Sequence, residues 1–580
     1  MLLRRHGRLP NLFLRPTPLR SLPSSPSSQR FFAEVASSEK SQDVAILGAG
    51  ITGLTAAYYL ARETPDAKIT VYEAGESVGG WMQSKWVDVE GGRILFEEGP
   101  RTLRPQDNGA VTLQLIQDLR LIPEVQVSSV RSPAAQNRFI YYPDHLVRMP
   151  HPSHGLVKNI YNLITEPVFK GGLNAAINEW REEPRSTTVT DESVGNFFSR
   201  RLGHQVTDNL VSAVMHGIYA GNIYQLSVKS LFPAAWFLEK EYGGVLKGLA
   251  QLRGEQATIQ QKRMVPIAEE FGSGIHLEPD FRIALAHASV YTFQRGLGSL
   301  AETLKDRLVH KHNVQMKTNT AAQSVAYKPN SPTIELKHSG SESTDQYDCI
   351  ISTLPANATS KICCDPSSTT PRVPSLGLIP SVTVMVVNLF FTNADLVQTP
   401  GFGYLLPRSV PFDQNPEFAL GVIFDSYAAP EQDSVPGSKF TVMLGGHWWD
   451  GWDAFPDGEQ GIAMARTVLA RHLGIVDKPV ATHATLQRDC IPQYTVGHED
   501  RMKQAHRDLE SGYRGKLKVA GNTYAGVGVN DCVRAGRDVA RSVARGLKSA
   551  NGQQVTRETG LQSFIDDEGF RVNYHGRKKD

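Results

Sequence analysis

Nowhere in the 580 residues is there a run long and apolar enough to span a bilayer, so any membrane association has to be from one side. Cysteine is scarce. The five present, Cys349, Cys363, Cys364, Cys490 and Cys532, form no CxxC or other ligand spacing, which points to reduced thiols and no metal site. Charge of one sign is also lacking. Lys and Arg number 61 against 59 Asp and Glu, a net charge of +2, and this argues against a nucleic-acid binder. No Ser-His-Asp set and no catalytic pair of carboxylates stands out, and no segment repeats. What remains is 40% apolar and 21% charged, a globular composition in a chain too long for one ordinary core.

One local absence is informative. No Asp or Glu occurs before Glu34, while Arg4, Arg5, Arg8, Arg15, Arg20, Arg30 and several serines do. Arg-rich, Ser-rich and acid-free is the composition of a mitochondrial transit peptide. Residues 1–33 therefore read as an import sequence, and 34–42 as a polar linker.

The strongest signal follows at once. Asp43-Val44-Ala45-Ile46-Leu47 is an apolar run of strand length, and it ends in Gly48-x-Gly50-x-x-Gly53. Leu54, Ala57, Leu60 and Ala61 then recur at helix spacing. A second strand, Ile69 to Tyr72, ends at Glu73. Strand, glycine turn, helix and a distal acid together make the dinucleotide-binding fingerprint. Gly48 permits the turn, Gly50 admits a pyrophosphate, and Gly53 lets the helix sit close to the strand. Glu73 is placed to accept hydrogen bonds from an adenosine ribose. Gly79-Gly80-Trp81 soon afterwards extends the pattern towards large two-domain flavoproteins, and Gly99-Pro100 marks a turn with Arg101 directly behind it.

Further along, 110–122 and much of 155–250 read as helix. The latter carries aromatics and bases, Tyr161, Phe169, Lys170, Trp180, Phe197, Phe198, Trp236 and Phe237. They suit an interfacial membrane-binding face or an ordinary helical core equally well. The polar stretch 250–285 reads as an irregular insertion. Tyr347 to Pro355 reads as a buried strand returning to the nucleotide-binding sheet. From Pro380 the texture turns to β-type runs, Ser381 to Phe391, Gly401 to Pro407, Ala419 to Phe424 and Lys439 to Trp448, which suggest a largely antiparallel sheet. The last structured part is Leu517 to Gly521, then a helix from Asn530. The polar residues beyond 550 read as a mobile tail. The fold class is thus α/β, α+β overall. A discontinuous Rossmann-like domain (43–124, 286–365 and 510–550) encloses a helical region (125–285) and a β-sheet substrate domain (366–500), with 551–580 as the tail.

Four stretches together resemble the oxygen-dependent protoporphyrinogen oxidases of the monoamine-oxidase-like flavoprotein superfamily. They are Gly48 to Gly53 with Glu73, Gly79-Gly80-Trp81 and Gly99-Pro100-Arg101; then Gly401-Phe402-Gly403-Tyr404-Leu405-Leu406-Pro407; then Val442-Met443-Leu444-Gly445-Gly446; and finally Ala520 to Cys532 running into Gly536-Arg537. The first is shared by the whole superfamily, and the others are more particular.

The resemblance implies non-covalent FAD. Gly48, Ala49, Gly50, Ile51, Thr52 and Gly53 would hold its pyrophosphate, with Glu73 and Ala74 at the adenosine ribose. Trp81, Gly99, Pro100, Arg101 and Thr102 would lie along the cofactor, Val325 at the adenine, and Asn522, Val527, Gly528 and Val529 at the ribityl chain and ring. A helix N-terminus beyond Val529 would stabilise the negative charge of a reduced flavin. The implied substrate is protoporphyrinogen IX, a flat apolar tetrapyrrole with two propionates. Arg101 would grip a propionate, and Phe402, Leu405 and Met443 would sandwich the macrocycle. The implied chemistry is three two-electron steps, each a hydride passed to flavin N5 with O2 reoxidising it to give hydrogen peroxide; no side-chain catalyst and no metal is implied. The family further suggests a homodimer, a peripheral place on the mitochondrial inner membrane and ferrochelatase as a docking partner. Two other readings stay open: a different oxidase or desaturase of the superfamily, and a non-catalytic escort-type relative of the fold.

Overall fold

The computed structural model describes residues 42–264, 269–270, 276–329, 331–364, 370–524, 526–548, 557–565 and 569–574. The import sequence expected in 1–33 lies outside them. The run Asp43–Leu47 is the middle strand of a five-stranded parallel sheet. Its order is Gln315–Lys317, Lys68–Tyr72, Asp43–Leu47, Cys349–Ser352, Leu517–Val519. Val44 to Leu47 are fully buried. A parallel sheet is covered on both faces, so its central strand has no reason to alternate polar and apolar residues. Helices Ile51–Glu63, Gly298–His312 and Val529–Lys548 pack on one face with Val44, Ile46, Val71 and Ile351. The expected return at Tyr347 to Pro355 is the strand Cys349–Ser352, and Gln315–Lys317 and Leu517–Val519 join the same sheet.

The second sheet has seven strands, ordered Ala481–Pro492, Ser381–Phe391, Ser438–Gly445, Ala419–Phe424, Gly403–Leu405, Phe139–Tyr141, Leu146–Arg148. All neighbours are antiparallel except the parallel pair Gly403–Leu405 with Phe139–Tyr141. Two expected runs, Ser381 to Phe391 and Ala419 to Phe424, coincide with strands. The run from Gly401 shrinks to Gly403–Leu405. The run to Trp448 stops at Gly445, where Gly445 and Gly446 both take positive φ and a short 3-10 helix begins. The edge strand Ala481–Pro492 has no sequence signature, because one face is wet and its residues are mixed. Phe139–Tyr141 and Leu146–Arg148 come from the block expected to be helical, and they belong to this sheet instead.

Two expectations are corrected in the helical region and the tail. Of the aromatics that suited a surface or a core equally, Phe169, Phe197 and Trp236 are buried, and Tyr161 and Trp180 are exposed. The stretch 250–285 contains strand Ala257–Gln261 and helix Pro279–Ala286. The described part of the tail is docked: Leu561 and Phe564 are buried, and strand Phe570–Tyr574 pairs with Ala257–Gln261. Other apolar side chains of the same region lie at the surface beside Tyr161 and Trp180. Leu156, Val157, Ile160, Tyr161, Leu163 and Ile164 on helix Leu156–Thr165 are all exposed, as are Leu173, Ile177 and Trp180 on Gly172–Arg181. Under the second helix Glu179 is buried, receiving Arg201 Nη2 at 2.8 Å and the backbone N–H of Val245 at 2.6 Å. A satisfied buried charge fixes which face of Gly172–Arg181 points outward.

Candidate active site

The site begins where strand Asp43–Leu47 ends. Helix Ile51–Glu63 starts immediately after Gly50. A Cβ on Gly53 would lie 2.0 Å from the Gly48 carbonyl oxygen, so only glycine lets helix and turn approach this closely. A Cβ on Gly50 would meet nothing within 4 Å. The space before the helix N-terminus is therefore open, and unpaired N–H groups of the first turn face it, an arrangement that suits a phosphate. Glu73 sits beside the turn. Its Oε2 accepts the Ala49 N–H at 2.8 Å and its Oε1 accepts the Gly75 N–H at 2.8 Å. The Gly79 N–H donates to the Ala49 carbonyl at 2.8 Å, which brings the paired glycines against the fingerprint.

A cavity of about 510 Å³ opens from this turn. At its first end Gly48, Gly50, Ile51, Thr52 and Glu73 line it, and Trp81, Gly99 and Pro100 continue the wall. Asn522, Val527, Gly528 and Val529 come in from the far end of the chain, with helix Val529–Lys548 starting at the cavity wall. Tyr494 holds this returning loop: its hydroxyl donates to the Asn522 carbonyl at 2.5 Å and accepts the Gly526 N–H at 2.9 Å. Val384, Val386, Leu420, Met443 and Ile491 from the second sheet make the other wall. One end thus presents backbone N–H groups and a carboxylate, and the other is apolar. That combination fits a dinucleotide whose ring system meets a flat apolar substrate.

Several expected site residues do not line the cavity. Ala49 and Gly53 sit behind the turn. Ala74 is exposed beyond it. Thr102 is not in the wall. Val325 is fully buried in the core of the three-stranded sheet, against Tyr72, Leu336 and Tyr347, so its side chain does not reach the cavity. Phe402 and Leu405 are outside the lining too; Leu405 packs behind Gly217, which does line it.

The largest correction concerns Arg101. Its guanidinium is buried and donates through Nη1 to Asp425 Oδ1 at 2.8 Å. Asp425 Oδ2 also accepts from Thr441 Oγ1 at 2.6 Å. Arg101 is therefore neutralised inside the protein and ties the Gly99-Pro100 turn to the second sheet. Glu97, two residues before that turn, is buried and pushed up to about 7 by desolvation, although it accepts from Ser84 Oγ at 2.6 Å and the Leu297 N–H at 2.8 Å. Arg138 is the opposite case. Its guanidinium lies 5.8 Å over the Phe402 ring, and no carboxylate pairs with it among the described residues. Burial and the nearby charge of Arg104 both lower its pKa. Arg138 is itself exposed and lies outside the cavity lining, so its charge is solvated and open to an anion.

Sequence reasoning missed His216. It lines the cavity. Its Nδ1–H must donate to the Leu406 carbonyl at 2.7 Å, so its Nε2 accepts from His447 Nε2–H at 2.9 Å. Burial lowers the two to about 4 and about 3. With both nitrogens occupied, His216 is a neutral wall. No motif marked it, because its partner is 231 positions away. The Cys490 and Cys532 thiols also line the cavity, and burial pushes each up to about 12, so neither serves as a nucleophile near neutrality.

Comparison with known proteins agrees with this geometry. The profile of the family described as flavin containing amine oxidoreductase matches residues 51–544. A protein named protoporphyrinogen oxidase from Schizosaccharomyces pombe is 32% identical over 518 residues, 88% of this chain and 100% of the relative. One of the same name from Homo sapiens is 34% identical over 510 residues, 86% of this chain and 98% of the relative. Among solved structures, cyclohexylamine oxidase from Brevibacterium oxydans has a similar fold, with a TM-score of 0.57 at 16% identity over 88% of this chain and 100% of that one.

Proposed function

The chain belongs to the flavin-containing amine oxidoreductases and, among them, to the protoporphyrinogen oxidases, and from this premise we propose how its residues divide the work. It is an FAD-dependent oxidase of haem biosynthesis that takes protoporphyrinogen IX to protoporphyrin IX with O2 as acceptor. When bound, FAD supplies the hydride acceptor and delivers the electrons to oxygen as hydrogen peroxide. The protein's residues bind, orient and exclude water. Gly50 leaves room for the pyrophosphate, and Glu73 takes the ribose. The N-terminus of Val529–Lys548 offers a positive dipole end to the flavin ring. The apolar wall of Val384, Leu420, Met443 and Ile491 holds the macrocycle against it. The observation that carries this reading is one cavity joining the fingerprint turn to that apolar wall. The test is aerobic incubation with protoporphyrinogen: porphyrin fluorescence must rise. Activity with an amine alone, or a protein lacking a flavin absorption band, would overturn the reading.

We assign the propionate contact to Arg138, with Arg104 beside it, in place of Arg101; both are exposed and outside the cavity lining, so the propionate would extend beyond the cavity past Phe402 to reach them. A charge-assisted hydrogen bond to a carboxylate contributes roughly 1.5–3 kcal/mol. Arg138→Ala is therefore expected to raise KM by about 10- to 100-fold while the flavin spectrum stays that of the wild type. An unchanged KM would refute the assignment.

The exposed apolar faces of Leu156–Thr165 and Gly172–Arg181 are proposed to lie in one leaflet of a mitochondrial membrane. No helix among the described residues is long and apolar enough to cross one. Each fully buried aliphatic side chain is worth roughly 1.5–3 kcal/mol, and Leu156 and Val157 are 75% and 81% exposed in water. The protein without residues 1–33 should float with liposomes, and a Leu156→Asp/Ile160→Asp/Ile164→Asp variant should stay in the soluble fraction. Flotation of both alike would remove these helices from the contact.

A further inference from the structure

We propose that residues 557–565 and 569–574 act as a strap that holds the loop closing the cofactor cavity; this rests on FAD being the occupant of that cavity. The strap lies beyond the family match, which ends at 544. Its near end covers Leu517–Val519, an outer strand of the five-stranded sheet. The Val519 N–H donates to the Thr559 carbonyl at 2.9 Å, so an edge group that would otherwise be buried without a partner is satisfied. Gly560 packs backbone against backbone, where a Cβ would lie 2.0 Å from the Val519 oxygen. The buried Lys518 ammonium donates to the Glu558 carbonyl. Thr559 Oγ1 is hydrogen-bonded to His506 at 2.8 Å. Leu561 and Phe564 then enter the same core as Leu517, Val519 and Tyr524.

The position of this contact gives it a role. Two residues after Val519 the chain reaches Gly521 and Asn522, which line the cavity. Tyr494 grips this loop from the side of the second sheet, and the strap grips its root from the opposite edge. The strap's far end is anchored independently. Phe570–Tyr574 pairs with Ala257–Gln261, and the Phe570 ring sits 4.8 Å from that of Phe237. Residues 557–565 are thus fixed to the cofactor sheet and 569–574 to the helical region. Loosening either anchor frees the strand that delivers Asn522, and the expected consequence is weaker hold on FAD.

The test uses the full chain with single changes. Gly560→Val drives a side chain into the Val519 backbone, and Phe570→Ala removes the ring contact at the other end. Each is expected to raise the FAD dissociation constant, Gly560→Val by at least about tenfold, with bound flavin released (read by its fluorescence) at a temperature below that of global unfolding. A chain ending at Lys548 should behave like Gly560→Val; if that deletion does not fold, the point variants decide. FAD affinity within twofold of wild type in Gly560→Val, or equal loss of apo and holo stability with affinity unchanged, would overturn the strap. Full-length wild type that retains no FAD would overturn the FAD reading with it, and the two failures are thus distinguishable.

Discussion

Asp425→Ala is expected to cost about 3–5 kcal/mol of stability, because it leaves the Arg101 guanidinium buried without its counter-charge. Both side chains are almost wholly enclosed, at 5% and 8% exposure, so water cannot take over the lost contact. Besides Asp425, Arg101 is hydrogen-bonded to the Gly99 carbonyl, at 3.3 Å. Gly99 and Pro100 line the cavity, and the same change should weaken flavin retention. Denaturant unfolding of Asp425→Ala, Arg101→Ala and the double variant separates the terms. The double variant loses both charges, so its cost should fall short of the sum of the singles by a few kcal/mol. Stability of Asp425→Ala within about 1 kcal/mol of wild type would show that the pair is not a structural tie and would reopen Arg101 as a ligand for substrate.

Acid should unfold the protein well above the range where carboxylates alone would. Three histidines are held neutral, His216 and His472 buried and His447 half-buried. Burial lowers His216 to about 4, His447 to about 3 and His472 to about 4. His472 accepts from the Tyr404 hydroxyl at 2.9 Å and donates to the Gln414 carbonyl at 2.8 Å, so a second ring proton would displace the proton that Tyr404 donates there. In the unfolded chain each would titrate near 6.5. Between pH 6.5 and about 4 the unfolded state therefore binds more protons, and stability falls as pH falls, by about 1.4 kcal/mol per pH unit for each group. Glu97 acts in the opposite direction. Its folded value of about 7 lies above the ordinary 4.5, so its contribution is present at low pH and lost as pH rises from 4.5 through 7. Three protons against one leave a net loss of roughly 2–3 kcal/mol per pH unit on acidification. Thermal unfolding measured at pH 7, 6 and 5 should show this fall, and His472→Gln should reduce the slope by about one proton. A midpoint that is the same at pH 7 and pH 5 would contradict the buried neutral state of these rings.

Much of the architecture was legible because it is local. A parallel strand buried on both faces must be apolar throughout, and Val44 to Leu47 are. A dinucleotide turn needs glycine where backbone meets backbone, and Gly53 is such a point. The run Ser381 to Phe391 is long and apolar because its strand is central, and its ends could be placed to the residue. The edge strand Ala481–Pro492 could not, since a half-solvated edge imposes no clean alternation. The tail misled for a related reason. Its composition is polar, yet Leu561 and Phe564 are buried and backbone hydrogen bonds and strand pairing, which composition does not show, help to dock it.

The amino-acid order by itself determined the nucleotide fingerprint, the return of the chain to that sheet, the antiparallel second sheet and the family resemblance. Each depends on residues within one turn or one strand of each other, or on motifs that need no partner. What a charge or a ring does there was decided only by the tertiary structure. Arg101 looked like a ligand for a propionate until Asp425, 324 positions away, came within 2.8 Å of it. Arg138 carried no mark until the fold left it over Phe402 without a carboxylate. His216 became a neutral wall through His447. Electrostatic roles are set by distance and burial, and neither quantity exists until segments remote in the chain are packed together.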